Sequence, residues 1–255
     1  MLKNIERPQI GQWQEQLARD GYLYLEDLPE GIDHYALAQT FGRLLPQYDG
    51  RYLWSIKADP QFDNLYHSLN TKKLSPHTEC YEFEGLPPRY LALWCVRPAS
   101  CGGGLTTLFD ALAFFRSLSP EVRRRAESVR FPFRSSSGIQ KSNLARTAEH
   151  PFLDQLPDGR MCVRFSFNNV DFGADDVMRD AAQSLVDAFE SSHVPIRWKR
   201  DAFLIWDNQR VLHSRTSYED RERELRRVWL TDHDATDRDR VAPLKEERGQ
   251  CSPAS

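Results

Sequence analysis

A mainly β protein with flanking helices, its strands antiparallel in a sandwich or barrel, is the fold class this sequence predicts. Three observations carry the prediction. Nine short apolar or alternating runs, punctuated by proline and glycine, recur between residues 51 and 230. Two stretches of helical periodicity, 112–129 and 175–189, interrupt that series instead of alternating with it strand by strand. Finally, 255 residues that are 40% hydrophobic and 11% aromatic suffice for one large core or two small ones, which excludes global disorder.

The elements follow in order. Trp13, Leu17 and Ala18 recur at helical spacing, and Gly21 stands where a helix C-cap belongs. Tyr22-Leu23-Tyr24-Leu25 reads as a strand. Tyr35, Leu37, Ala38, Phe41 and Leu44 make one face of a second helix over 33–45. Strands are then expected at 51–56, 89–96, 106–109, 129–133, 162–167, 196–198, 202–206, 210–213 and 222–230. Ser119-Pro120 restarts the helix inside 112–129, while Val177, Ala181, Leu185 and Phe189 give 175–189 an apolar face. The stretch 133–150, with Ser135-Ser136-Ser137-Gly138, has little periodicity and is expected to be a long loop of the kind that forms lids or binding sites. Residues 1–232 are expected to form one domain with segment 1–60 packed on the β core, and the charged stretch 233–255 a flexible tail.

Charge narrows the partners. The 34 Lys and Arg against 37 Asp and Glu give a net charge of −3, too little positive charge for nucleic-acid phosphates. No apolar run reaches the length of a bilayer span, and residues 1–6 lack the apolar core of a secretory signal, so a cytoplasmic protein without a membrane partner is expected. Five cysteines without close pairs fit a reducing compartment better than a disulfide framework or a zinc ribbon.

Four local patterns carry candidate chemistry. In Ser75-Pro76-His77-Thr78-Glu79, residues two apart on a strand point to one side, so His77 and Glu79 can offer an imidazole nitrogen and a carboxylate oxygen to one ion. Cys80, the next residue, is expected to point to the opposite side. In Trp206-Asp207-Asn208-Gln209-Arg210-Val211-Leu212-His213, a strand and a polar turn lead to a second short run that delivers His213. A second imidazole completes a face of two histidines and one carboxylate with three adjacent positions open, the pattern of iron(II) oxygenases. On the strand 222–230, Arg223 and Arg227 lie four apart and face one way; two guanidinium groups at an apolar interior call for an anion such as a small carboxylate, unless they pair with neighbouring Glu and Asp on a solvent-facing edge. In Cys101-Gly102-Gly103-Gly104-Leu105-Thr106, glycines permit close approach of the backbone and Thr106 supplies a hydroxyl donor.

The order of these four pieces resembles the TauD/TfdA family, the taurine dioxygenase and clavaminate synthase-like oxygenases that depend on iron(II) and 2-oxoglutarate. The resemblance covers roughly residues 65 to 230. It implies a double-stranded β-helix core, a cupin-like jelly roll, and the cofactors Fe(II), 2-oxoglutarate and O2. It further implies that His77, Glu79 and His213 are the metal ligands, and that Arg223 and Thr106 hold the distal carboxylate of 2-oxoglutarate. Arg227 matches the family position that holds a substrate anion, although the adjacent Arg226 leaves the register open. Arg164 and Asn168 are further candidates for substrate contacts. Glu79, in place of the aspartate that many members carry, is what the amino-acid oxygenases of the family use, and its presence argues against halogenation. The implied activity is hydroxylation of an amino acid or amino-acid-derived small molecule, with release of succinate and CO2. Desaturation or ring closure at the same centre, and a non-redox anion-binding jelly roll, are the alternatives; the oligomeric state is left open.

Overall fold

The computed structural model describes residues 5–233. Its strands form two antiparallel sheets, joined by two small hairpins and no closed barrel. The larger sheet runs β1(Tyr22–Leu25), β12(Phe203–Asp207), β5(Tyr90–Arg97), β14(Glu224–Thr231), β2(Arg43–Leu45), with β3(Trp54–Lys57) also paired to β14. The smaller runs β11(Val194–Ile196), β6(Thr106–Asp110), β13(Val211–Arg215), β4(Leu74–His77).

Layering follows from which faces are apolar. Between the sheets lie Leu91, Leu93, Leu204, Trp206, Leu225 and Trp229 from the larger one, with Leu108 and Val211 from the smaller. The opposite face of the larger sheet, with Trp94, Phe203 and Leu230, packs under α1(Arg7–Asp20) and α2(His34–Gln39) through Leu17, Leu37 and Ala38. Strands β5 and β12 are thus covered on both faces, which explains why they read as continuous apolar runs rather than alternations. Behind the smaller sheet, Leu212 meets Phe115 of α3(Ala111–Ser117), Ala126 of α4(Pro120–Ser128), and Leu185 and Phe189 of α6(Asp176–Ser192). No helix among the described residues is long and apolar enough to cross a membrane.

Several expectations are corrected. The helix read over 33–45 ends at Gln39, capped at its start by Asp33, whose side chain accepts from the Ala36 amide. Gly42 then passes so close to the Thr231 carbonyl that a Cβ would collide with it, and the chain enters the sheet edge as β2. The apolar residues 41 and 44 that completed the helical face belong to this turn and strand. The supposed loop 133–150 is a hairpin of β7(Phe131–Arg134) and β8(Thr147–His150) enclosing α5(Ser137–Lys141). Strand β8 buries Ala148 and His150, too polar and small a pair to register as an apolar run. The run 162–167 is a strand only as β10(Met161–Val163), paired with β9(Leu153–Gln155), before it turns at Ser166 to bridge His77. The tail expected over 233–255 lies, beyond His233, outside the described residues.

Candidate metal centre and its two cavities

Strand β13 pairs with β4 so that His213 stands opposite His77, their ring centroids 4.3 Å apart. Glu79 closes the triangle: its Oε2 lies 4.0 Å from His77 Nε2 and 3.9 Å from His213 Nε2. Among the described residues these three form the one group of histidine, cysteine and carboxylate side chains able to converge on a metal ion.

Local bonding prepares each of them. His77 Nδ1 sits 2.8 Å from the Ser75 carbonyl. A carbonyl can only accept, so the ring proton is on Nδ1 and the Nε2 lone pair faces the triangle. Burial pulls His77 below the ordinary imidazole range, and burial together with the neighbouring His77 pulls His213 well below it. Both rings are therefore neutral, the form that ligates metals. Thr78 is clamped by exchange with Phe165: its amide donates to the Phe165 carbonyl and its hydroxyl accepts from the Phe165 amide, each at 3.0 Å.

The strand ends at His77, and the fully buried Asn208 at the β12–β13 turn takes over the positioning of Glu79. Its Oδ1 accepts from the Glu79 amide at 2.7 Å, and its Nδ2 donates to the Glu79 carbonyl at 3.1 Å. Cys80 then adopts a φ of 60° and borders a cavity, instead of pointing away from the site as a regular strand would require. The Glu79 carboxylate receives 2.9 Å from Arg227 Nη1 on Oε1, leaving Oε2 toward the histidines. This donor set fits a divalent iron: two neutral imidazoles and one carboxylate oxygen, with the second oxygen fixed by a cation.

The triad lies in the wall between two cavities of about 60 Å³ each, and His77, Glu79 and Arg227 border both. The first is lined by Tyr48, Trp54, Tyr66, His67 and Glu82, with Ser136 and Ile139 from the β7–β8 excursion. The second lies between the sheets, walled by Ile56, Leu91, Leu93, Trp206 and Leu225, with Thr106, Arg215 and Arg223 at its polar end.

Arg223 and Thr106 both border the second cavity. Arg223 is 1% exposed; its Nε and Nη2 donate to the Gly104 carbonyl at 3.1 and 2.8 Å, and Nη1 has no partner. An unpartnered buried guanidinium nitrogen is costly unless an anion meets it. Gly104, at φ +69°, allows the approach, since a Cβ there would stand 2.6 Å from Arg223 Nε. Thr106 Oγ1 accepts from Trp198 Nε1 at 3.1 Å, which leaves its own proton to donate.

The three candidate substrate residues fare differently. Arg227 borders both cavities, but its carboxylate partner is the protein's own Glu79; its Nε donates to Gln47 at 2.8 Å, and Trp54 and Trp229 flank it. Arg164 borders neither cavity. It is buried beneath the segment after Glu79, donating to the carbonyls of Phe83 at 3.1 Å and Gly85 at 2.8 Å. Asn168 is exposed, also borders neither cavity, and donates to Ser75 Oγ at 2.8 Å. Sequence reasoning passed over His67, Glu82 and Arg215. Glu82 had a usable signal, a carboxylate between Tyr81 and Phe83 in an aromatic run, and Arg215 lay two residues past His213 on the same strand face.

No curated protein matches the sequence significantly. Among solved structures, an asparagine oxygenase in complex with Fe(II), 2S,3S-3-hydroxyasparagine and succinate superposes with a TM-score of 0.72 at 18% identity, over 89% of this chain and 79% of that one. The non-heme iron oxygenase OrfP in complex with Fe, succinate and (3S)-hydroxy-L-Arg gives 0.69 at 17% identity, over 93% and 86%. OrfP in complex with Fe and alpha-ketoglutaric acid gives 0.64 at 17%, over 89% and 81%. At these identities the likeness concerns the fold. The family model of the taurine catabolism dioxygenase TauD, TfdA family matches residues 2–229, nearly the whole chain, and the protein belongs to that family.

Proposed function

We propose that the protein is an Fe(II)- and 2-oxoglutarate-dependent oxygenase that hydroxylates an amino acid or an amino-acid-derived small molecule. The observation that carries the reading is the His77–Glu79–His213 triangle set between two cavities, one of which ends in the unpartnered Nη1 of Arg223. Iron(II) bound there with 2-oxoglutarate and dioxygen supplies an oxidant able to break an unactivated C–H bond, with succinate and CO2 as co-products.

The chain's own residues divide the remaining work. Arg223 Nη1 and the Thr106 hydroxyl receive the distal carboxylate of 2-oxoglutarate, and the planar guanidinium sets its direction. Ile56, Leu91, Leu93, Trp206 and Leu225 keep water from that lobe. Arg227 and Asn208 hold Glu79 in place from its side chain and its backbone. The substrate enters the other lobe, where His77 and Glu79 form part of the wall. The amino-acid class is supported by two structural neighbours that were solved with hydroxylated amino acids.

The test is a screen of amino acids for substrate-stimulated succinate release, with mass analysis of the product. A gain of one oxygen agrees with the proposal. A loss of two hydrogens would replace hydroxylation by desaturation or cyclisation, and stoichiometric zinc with no turnover would replace it by anion binding.

A further inference from the structure

Glu82 is 1% exposed and borders the cavity on the substrate side of the triad. Both of its hydrogen bonds fall on one oxygen: Oε1 accepts from Ser135 Oγ at 2.9 Å and from Tyr48 OH at 3.3 Å. Its Oε2 is buried with no partner. Among the described residues no arginine, lysine or histidine forms an ion pair with it. The one arginine on the cavity wall, Arg227, is committed to Glu79 and Gln47. Of the histidines on that wall, His77 belongs to the metal triangle, and burial lowers His67 to about 4. Glu79 thus has its cation and Glu82 does not.

A buried carboxylate without a counterion is unfavourable, and burial accordingly pushes Glu82 up to about 7. Apolar packing alone gives no reason for a carboxylate between Tyr81 and Phe83, where a leucine or methionine would fill the same space. We infer that Glu82 anchors the substrate: its free oxygen receives a cationic nitrogen, so the molecule oxidised at this centre carries an ammonium or guanidinium group on the portion that enters the Tyr48–Tyr66–Glu82 cavity. Tyr48 and Ser135 fix the other oxygen and so orient the carboxylate. Glu82 is a specificity residue, and it touches no reacting atom.

This inference rests on the oxygenase reading, and the experiment separates the two. Anaerobic protein loaded with iron(II) and 2-oxoglutarate is checked for its visible charge-transfer band. It is then titrated calorimetrically with four probes: L-lysine, L-norleucine, Nα-acetyl-L-lysine and Nα-acetyl-L-norleucine. These carry both cations, the α-ammonium alone, the side-chain ammonium alone, and neither. The wild-type protein is expected to prefer at least one cation-bearing probe over Nα-acetyl-L-norleucine by about tenfold or more. Glu82→Gln, which keeps an acceptor for Tyr48 and Ser135, should erase that preference with the band unchanged, and Glu82→Asp should retain part of it. No preference in the wild type, or one that survives in Glu82→Gln, overturns the inference. Absence of the band overturns instead the oxygenase reading beneath it.

Discussion

The cavity on the Arg223 side of the triad is walled mostly by strands of both sheets, β3, β4, β5, β6, β12, β13 and β14, whereas the one on the Glu82 side is walled largely by turns and short elements at 66–68, 79–82 and 136–139. In the first lobe most lining side chains stand on paired strands, whose registers fix them. In the second, residues far apart in sequence converge on segments that strand pairing does not constrain. The difference matches the two proposed tasks. A cofactor common to a whole family can be read by a rigid wall, and a substrate particular to one enzyme by segments free to vary without disturbing the sheets.

Predictions that probe this division run from the largest expected effect to the smallest. His77→Ala or His213→Ala should reduce bound iron and succinate formation to background, since two remaining donors hold the ion poorly; metal analysis beside a turnover assay reads both losses. Arg223→Ala should weaken 2-oxoglutarate binding about 100-fold, the order expected when a buried charged hydrogen bond of roughly 2–5 kcal/mol is lost. It should leave probe binding in the other lobe nearly unchanged once 2-oxoglutarate is saturating. Glu82→Gln should do the reverse.

Two glycine substitutions make the same chemical change on the two sides. Gly104→Ala places a methyl group 2.6 Å from Arg223 Nε at a φ of +69°, so it should cost about 1–3 kcal/mol of stability and raise the 2-oxoglutarate dissociation constant about tenfold. Thermal unfolding and a cofactor titration check the two parts. Gly138→Ala places a methyl group 2.6 Å from His67 Cβ, against the wall of the substrate lobe. It should change probe affinity a few-fold, about 1 kcal/mol, and leave the cofactor titration alone. If Gly138→Ala moved cofactor binding as much as Gly104→Ala does, the two lobes would not be separate.

The same contrast explains what the sequence could disclose. The strand lobe was legible because its residues sit in apolar runs: Leu91 and Leu93 in 89–96, Trp206 in 202–206, and Leu225 between Arg223 and Arg227. The triad was legible through His77-x-Glu79 and His213, although β4 itself, only Leu74-Ser75-Pro76-His77, is too short and proline-broken to read as a strand. Cys80 was misread because two-residue alternation was carried past the end of that strand. The substrate lobe was largely illegible. Tyr48, Tyr66, His67 and Ser136 have no mutual spacing to betray them, and 133–150 conceals a hairpin whose second strand is nearly all polar. Arg164 attracted attention as a cation in an apolar run, yet its partners are the carbonyls of Phe83 and Gly85 and the Asp154 carboxylate, and no periodicity tells such internal partners from a ligand.

One measurement tests the two-lobed account most directly: anaerobic titration of the iron(II)-loaded protein with 2-oxoglutarate, followed by the visible charge-transfer band, for the wild type, Arg223→Ala and Glu82→Gln. The account predicts a band in all three, with the midpoint shifted about 100-fold in Arg223→Ala and unmoved in Glu82→Gln. A wild-type midpoint in Arg223→Ala, or a comparable shift in Glu82→Gln, would contradict it.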